Sequence, residues 1–137
     1  MKRLDRWAAC TVLFAAFLAC ISSLAPRARA SGDEPETVVV TYRPQPGKED
    51  ALLQVLREAR STRARLALAD ESPYLLVRAG SPGNVRFIEV FTWKSEEIPD
   101  HAPQEIRDQW DRMQKLVRPL DGHPGIDFEQ VQILPPK

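Results

Sequence analysis

The sequence has little cysteine and no excess of charge of either sign, and both absences narrow the functions it can have. Its two cysteines, Cys10 and Cys20, are too few for a zinc ribbon or a dense disulfide framework. Its 19 Lys and Arg balance 19 Asp and Glu, whereas a nucleic-acid-binding module carries a basic excess clustered on one face. Disorder goes with low hydrophobicity and high net charge, and 43% of these residues are hydrophobic.

The first thirty residues have the pattern of an export signal. Basic residues within 1–6 precede an apolar run over 7–18, and an Ala-x-Ala triplet ends at Ala30. A charged start, a short apolar core and this ending predict a secretory signal peptide over residues 1–30. The apolar run is shorter than the roughly 20 residues that a membrane span needs. We therefore expect a protein exported to the periplasm or secreted, with no membrane attachment after cleavage.

Two alternatives keep the N-terminal segment attached to a membrane. The apolar run can be extended to Leu24 through two serines, which would leave an uncleaved anchor. Cys20 follows a small residue, as the lipidated cysteine of a bacterial lipoprotein does, although Leu18 is bulkier than is usual two positions earlier.

Removal of the signal would change the charge and the size of the chain that folds. It would remove five basic residues and one acidic residue, so 14 Lys and Arg would remain against 18 Asp and Glu, a net charge of −4. Both cysteines would be lost, and the remaining 107 of the 137 residues would fold without disulfides. A chain of this size buries only about two thirds of its unfolded surface, so oligomerisation would stabilise it.

The remaining chain alternates between strand and helix patterns after a polar tether over 31–36. Runs of β-branched and aromatic residues predict strands, and apolar residues at helical spacing predict helices. We expect Asp100 to cap the second helix, Pro119 to end it, and a bulge near Glu129 to reconcile two apolar phases in the last strand. The predicted elements are a strand over 37–43, a helix over 48–68, a hairpin of strands over 74–79 and 86–93, a helix from about 100 to 119, and a strand over 125–134.

The order βαββαβ predicts an α+β, ferredoxin-like domain over 37–134, with a four-stranded antiparallel sheet and two helices on one face. The third strand is nevertheless apolar on both faces, with Phe91 and Trp93 on one and Ile88 and Val90 on the other. A second apolar face has to be covered. We predict that a second copy covers it, in a homodimer joined sheet to sheet.

Three short motifs occur in a recognisable order along this domain. Pro46-Gly-Lys-Glu49 follows the first strand, residues 86–95 contain a strand glutamate and a tryptophan, and His101 opens the second helix. Together they resemble the antibiotic biosynthesis monooxygenase family of the dimeric α/β barrel superfamily. The resemblance implies a ferredoxin-like dimer with a pocket between sheet and helices. Family members include cofactor-independent oxygenases that act on quinols and polyphenols, and related branches bind and degrade haem.

Glu89 and His101 are the candidate catalytic residues. Glu89 shares a strand face with aromatic side chains, where a carboxylate can serve as an acid or a base. The alternative is that Glu89 pairs with an arginine, such as Arg78 on the adjacent strand, because cross-strand charge pairs are common. His101 can donate or accept a proton near neutral pH, and the family resemblance supports that role. The alternative is a surface or capping histidine.

The candidate substrate-binding residues are aromatic, and they predict an aromatic small molecule as the ligand. They are Trp110, Tyr42, Phe91 and Trp93. Trp110 falls on the apolar stripe of the second helix with Ile106 and Met113, so a core role is its alternative.

No cofactor and no metal are predicted. His101 and His123 lack the paired spacing of metal ligands, and His123 is expected to be a loop residue. The arginines of the first helix, at positions 57, 60, 63 and 65, are predicted to form a solvated face. The functions that remain are an exported cofactor-independent monooxygenase, a non-catalytic dimeric binding or structural protein of the same fold, and, less favoured, a haem-binding protein.

Overall fold

The computed structural model describes residues 34–136, so the predicted signal peptide, its two alternatives and the first part of the tether lie outside the described residues. The chain forms four strands and two helices in the predicted order. They are β1 (Glu36–Tyr42), α1 (Glu49–Arg65), β2 (Leu75–Ala79), β3 (Arg86–Trp93), α2 (Gln104–Gln114) and β4 (Ile126–Gln130). In this part of the chain no helix is both long and apolar enough to cross a membrane.

The four strands form one antiparallel sheet in the order β2-β3-β1-β4. This order, with the two helices, is the ferredoxin-like arrangement, so the predicted fold class is confirmed. In the register of the two central strands, Val40 lies opposite Glu89 and Tyr42 lies opposite Phe87. The middle of β3 therefore places a carboxylate at the centre of the sheet.

α1 buries an apolar stripe against the sheet and ends at Arg65, earlier than predicted. The reason is the next turn, in which Ala67 takes a left-handed conformation with φ 53°. The Ala67 N–H donates to the Ala64 carbonyl at 3.0 Å, and the Leu68 N–H donates to the Arg63 carbonyl at 2.9 Å. These paired bonds form a Schellman motif, which holds Arg63 in the last helical turn.

α2 starts later and ends earlier than the sequence predicts. Pro103 occupies the N-cap position, so the prediction that Asp100 caps the helix is wrong. The helix stops before Pro119, because Val117 forms an isolated bridge with Pro44 and so draws the chain away from the helix axis.

β4 is shorter than predicted and has no bulge. It pairs with β1 in a continuous register, so the bulge expected near Glu129 is wrong. The last hydrogen bond along this edge runs from the Val131 N–H to the Thr37 carbonyl at 2.9 Å. The second apolar phase lies beyond the strand, and Ile133 and Leu134 are therefore exposed.

The two faces of the sheet differ in burial, as expected when helices cover only one. On the opposite face, Val39, Ile88 and Val90 are only partly buried, and Leu75 is 52% exposed. The helix-covered face forms the core with the apolar stripes of α1 and α2. The buried side chains of β1 and β3 on that face are Val38, Val40, Tyr42, Phe87, Glu89, Phe91 and Trp93.

Candidate functional site

A buried ion pair lies at the centre of the helix-covered face. Glu89, in the middle of β3, is fully buried, and Arg63, from the last turn of α1, is 3% exposed. Arg63 Nη2 donates to Glu89 Oε1, and the Tyr42 hydroxyl from β1 donates to Glu89 Oε2 at 3.0 Å. Both carboxylate oxygens are engaged, and the charge of Glu89 is compensated inside the core.

Arg63 lies at the centre of this candidate site, and the sequence interpretation missed it. The alternative prediction that Glu89 pairs with an arginine is confirmed, but the choice of Arg78 is wrong, because the Arg78 side chain is exposed and Arg63 holds the carboxylate. The prediction that Arg63 belongs to a solvated face is wrong as well. Position 63 lies four residues after Ala59 and three before Leu66, so it continues the apolar stripe of α1. That spacing is the signal that identifies a buried arginine.

The two tyrosines of the chain both lie near Glu89. Burial raises the pKa of Tyr42 well above its usual value, and the negative charge of Glu89 raises it further, so Tyr42 is a neutral donor. Burial, followed by the charge of Glu89, raises the pKa of Tyr74 to about 12. The Tyr74 hydroxyl interacts electrostatically with Glu89, yet it forms no well-aligned hydrogen bond within residues 34–136.

Arg63 also packs against the aromatic side chains of β3. Its guanidinium carbon lies 4.0 Å from the centre of the Phe91 ring and 5.8 Å from that of Trp93, within the range of cation–π contacts. The Phe91 and Trp93 rings meet edge to face, with centres 4.9 Å apart. In the described part of the chain, the side chain of Arg63 hydrogen-bonds only to Glu89. A guanidinium has five N–H donors, so Arg63 can donate further hydrogen bonds to a group in the cavity that it lines.

A cavity of about 500 Å³ lies between the helix-covered face of the sheet and α2. This volume is in the usual range of small-molecule sites, roughly 300–1,000 Å³. Apolar side chains from both layers form most of the wall, and Arg63 and Tyr42 contribute polar atoms to it. The lining residues are Glu36, Val38, Val40, Tyr42, Arg63, Phe91, Trp93, Glu96, Pro99, Asp100, Trp110, Met113, Gln114, Ile126 and Phe128.

Three carboxylates, Glu36, Glu96 and Asp100, form an acidic rim at one end of the cavity. Glu36 begins β1 and lies opposite Trp93 at the end of β3. The rim therefore lies where the two central strands begin and end, and not along an edge strand. Burial, and then the charges of Glu96 and Asp100, raise the pKa of Glu36. The neighbouring carboxylates therefore disfavour a further negative charge at the position of Glu36.

The structure gathers most of the predicted site residues around this cavity. Glu89 lies beneath the lining, in contact with Tyr42 and Arg63. His101 is not among the lining residues: it is exposed in the turn before α2, with Nδ1 3.2 Å from the Glu97 carbonyl oxygen. The roles of Glu89 and His101 stay predictions. The predicted residues that line the cavity are Tyr42, Phe91, Trp93 and Trp110.

The potential metal ligands within residues 34–136 are not clustered. No group of three or more His, Cys, Asp or Glu side chains in that range is arranged to hold a metal ion. His123 is exposed, with Nδ1 3.9 Å from Asp127. The described cavity wall contains neither His nor Cys, two of the common axial ligands of haem iron.

Several solved structures share this fold. A Chloroflexus aurantiacus protein proposed to be an antibiotic biosynthesis monooxygenase is 17% identical, with a TM-score of 0.55 over 76% of this chain and 97% of that chain. A Caulobacter crescentus protein with the same proposed assignment is 17% identical, with a TM-score of 0.53 over 74% of this chain and 92% of that chain. A Bacteroides thetaiotaomicron protein of unknown function, suggested to be an oxidoreductase, is 12% identical, with a TM-score of 0.56 over 74% of this chain and 99% of that chain.

The comparisons support the family resemblance at the level of the fold. No family model matches the sequence, and no curated protein matches it. At identities of 12% and 17%, a shared fold does not carry over an activity.

Proposed function

We propose that this protein binds a small aromatic molecule in the cavity between the sheet and α2. The cavity itself carries the proposal, since its volume of about 500 Å³ is bounded by Trp93 on β3 and Trp110 on α2. A largely apolar cavity with a few polar groups is the usual form of a ligand site. Arg63 and Tyr42 supply those polar groups.

The proposed binding unit is a homodimer joined through the face of the sheet that the helices leave uncovered. Val39, Ile88 and Val90 on that face are only partly buried, and Leu75 is 52% exposed. An apolar sheet face has to be buried against another layer, and a second copy of the chain supplies one. Export directed by residues 1–30 is part of the same proposal.

Oxygenation without a cofactor is the reaction we propose for this site, because the fold is shared with proteins proposed to be monooxygenases. A bound phenol or quinol would lose a proton, and the resulting anion would react directly with O₂. The neutral ligand would bind first, and an Arg63 N–H would donate to its oxygen, a hydrogen bond that strengthens as the oxygen gains negative charge in the reaction. Tyr42 lines the cavity and hydrogen-bonds to Glu89, so it would pass the proton to that carboxylate.

Binding without catalysis is the second candidate function. Two observations favour it: both oxygens of Glu89 are engaged, and His101 is exposed outside the cavity wall. On this proposal the ion pair shapes the cavity and no group accepts a proton from the ligand.

Tryptophan fluorescence tests the binding proposal directly. Trp93 and Trp110 are the tryptophans of residues 34–136, and both line the cavity. We expect saturable quenching by 1,4-naphthoquinone, weakened by Trp110→Leu and unchanged by Leu134→Ala, a control on an exposed residue outside the cavity. Quenching that never saturates would contradict binding.

An oxygen electrode separates the two candidate functions. Uptake with 1,4-naphthohydroquinone above the rate of autoxidation without protein supports the oxygenase. Saturable quenching without such uptake, over a series of quinols, supports binding without catalysis.

A further inference from the structure

Within residues 34–136, the Arg63 guanidinium has hydrogen-bond donors beyond the one that Glu89 accepts. Its side chain is 4% exposed and lines the cavity. One nitrogen donates to Glu89, and the side chain makes no other hydrogen bond to the described residues. A ligand that supplies an acceptor at this point gains a hydrogen bond to a charged donor, which is stronger than a neutral one, and a ligand without an acceptor does not.

The guanidinium is held in place before any ligand binds. Glu89 fixes one edge, the Phe91 ring lies 4.0 Å from the guanidinium carbon, and the Schellman motif after Arg65 fixes the helix end. A group held in this way loses little further freedom when a ligand binds, and preorganisation of this kind favours affinity.

The charges around the cavity disfavour a negatively charged ligand. The charge of Arg63 is balanced by Glu89, so the pair contributes no net charge. At the acidic rim of the cavity, Glu36 lies beside Glu96 and Asp100. The acceptor that Arg63 meets is therefore better matched by a neutral oxygen than by a carboxylate.

We propose that the ligand carries a neutral oxygen acceptor, a carbonyl or phenolic oxygen, which accepts a hydrogen bond from the Arg63 guanidinium while its aromatic body lies between Trp93 and Trp110. This rests on the proposed binding function and adds the chemical class and orientation of the ligand. Arg63 is then the residue that determines specificity, and Glu89 is the residue that positions it.

Two naphthalenes of similar size test the role of Arg63. 2-Acetylnaphthalene has a carbonyl oxygen, and 2-isopropylnaphthalene has a methyl group in its place. Affinities are measured for Glu89→Gln, which keeps the guanidinium, and for Arg63→Met/Glu89→Gln, which lacks it and leaves no unpaired carboxylate. For each protein we take the ratio of the dissociation constants of the two probes. The difference in hydration between the probes is the same for both proteins, so it cancels when the two ratios are compared.

We expect the preference for 2-acetylnaphthalene to be at least about tenfold stronger in Glu89→Gln than in the double variant, because a hydrogen bond to a charged group is lost. Equal ratios in the two variants would overturn the role of Arg63 and leave the binding function intact. If none of the naphthalene probes binds the unaltered protein, the proposed function itself fails.

Two further measurements use the unaltered protein. The infrared carbonyl stretch of bound 2-acetylnaphthalene should shift to lower frequency than in an apolar solvent, and an unshifted band would overturn the hydrogen bond even if the double variant fails to fold. 2-Naphthoate should bind more weakly than 2-acetylnaphthalene, and Glu36→Gln should reduce the difference. Tighter binding of the carboxylate would overturn the neutral acceptor.

Discussion

Replacing Arg63 by methionine should destabilise the protein more than replacing both members of its ion pair. Methionine keeps the apolar stem but leaves the Glu89 carboxylate fully buried, with the Tyr42 hydroxyl as its remaining donor. Removing one partner of a buried pair costs about 3–5 kcal/mol. That is a large part of the 5–15 kcal/mol typical of whole domains, roughly speaking.

The second substitution, Glu89→Gln, should recover much of this loss. It removes the unpaired charge, and its amide oxygen can still accept the hydrogen bond from Tyr42. What remains lost is the contact of the guanidinium with Phe91, about 1–2 kcal/mol for a desolvated cation–π pair. We therefore expect Arg63→Met/Glu89→Gln to be about 2 kcal/mol more stable than Arg63→Met alone.

Urea denaturation followed by tryptophan fluorescence measures these differences in the free energy of unfolding. The comparison requires that the slope of this free energy against urea concentration is the same in every variant. If Glu89→Gln destabilises the Arg63→Met protein further, the argument that an unpaired buried charge dominates the loss is refuted.

Three further predictions follow from single positions in the fold. Ala67→Gly should raise the free energy of unfolding by about 1 kcal/mol in urea denaturation, because Ala67 holds φ 53°, where a Cβ is penalised. Neither Tyr42 nor Tyr74 should ionise near pH 10 in the folded protein, as read from tyrosinate absorbance. The unfolded chain releases those protons first, so stability present below pH 10 should be lost as the pH rises towards 12; normal titration near pH 10 would contradict their burial. Leu75→Glu should convert the proposed dimer to a monomer in analytical ultracentrifugation, and the matched Leu134→Glu should leave it intact.

The order of the elements could be predicted because local patterns agree with the tertiary structure. β3 has the predicted bounds of 86–93, since its run of apolar and β-branched residues lies between a turn and a charged connector. The boundaries that differ depend on single backbone events. α1 ends where Ala67 turns left-handed, and α2 ends because Val117 pairs with Pro44. Neither event has a local signal as strong as a glycine or a run of alternating residues.

The walls of the cavity were easier to predict than its polar centre. Phe91, Trp93 and Glu89 share a face because side chains alternate along a strand, and this can be read from the sequence. The partner of Glu89 could not be read in the same way, because it depends on how α1 is rotated above the sheet. Grouping Arg63 by its charge places it in solvent, whereas grouping it by its spacing places it with the apolar stripe.

The position of the ion pair argues for a role in binding more than for one in stability. A buried pair such as Arg63 and Glu89 is often no more stabilising than apolar side chains of the same volume, so stability alone gives little reason to place it in this core. Its location explains more: one edge of the guanidinium is held by Glu89, and the side chain lines a cavity between Trp93 and Trp110. On the proposed function, a cation fixed by the core at a cavity wall selects a ligand by its oxygen, a selection that an apolar pair could not make.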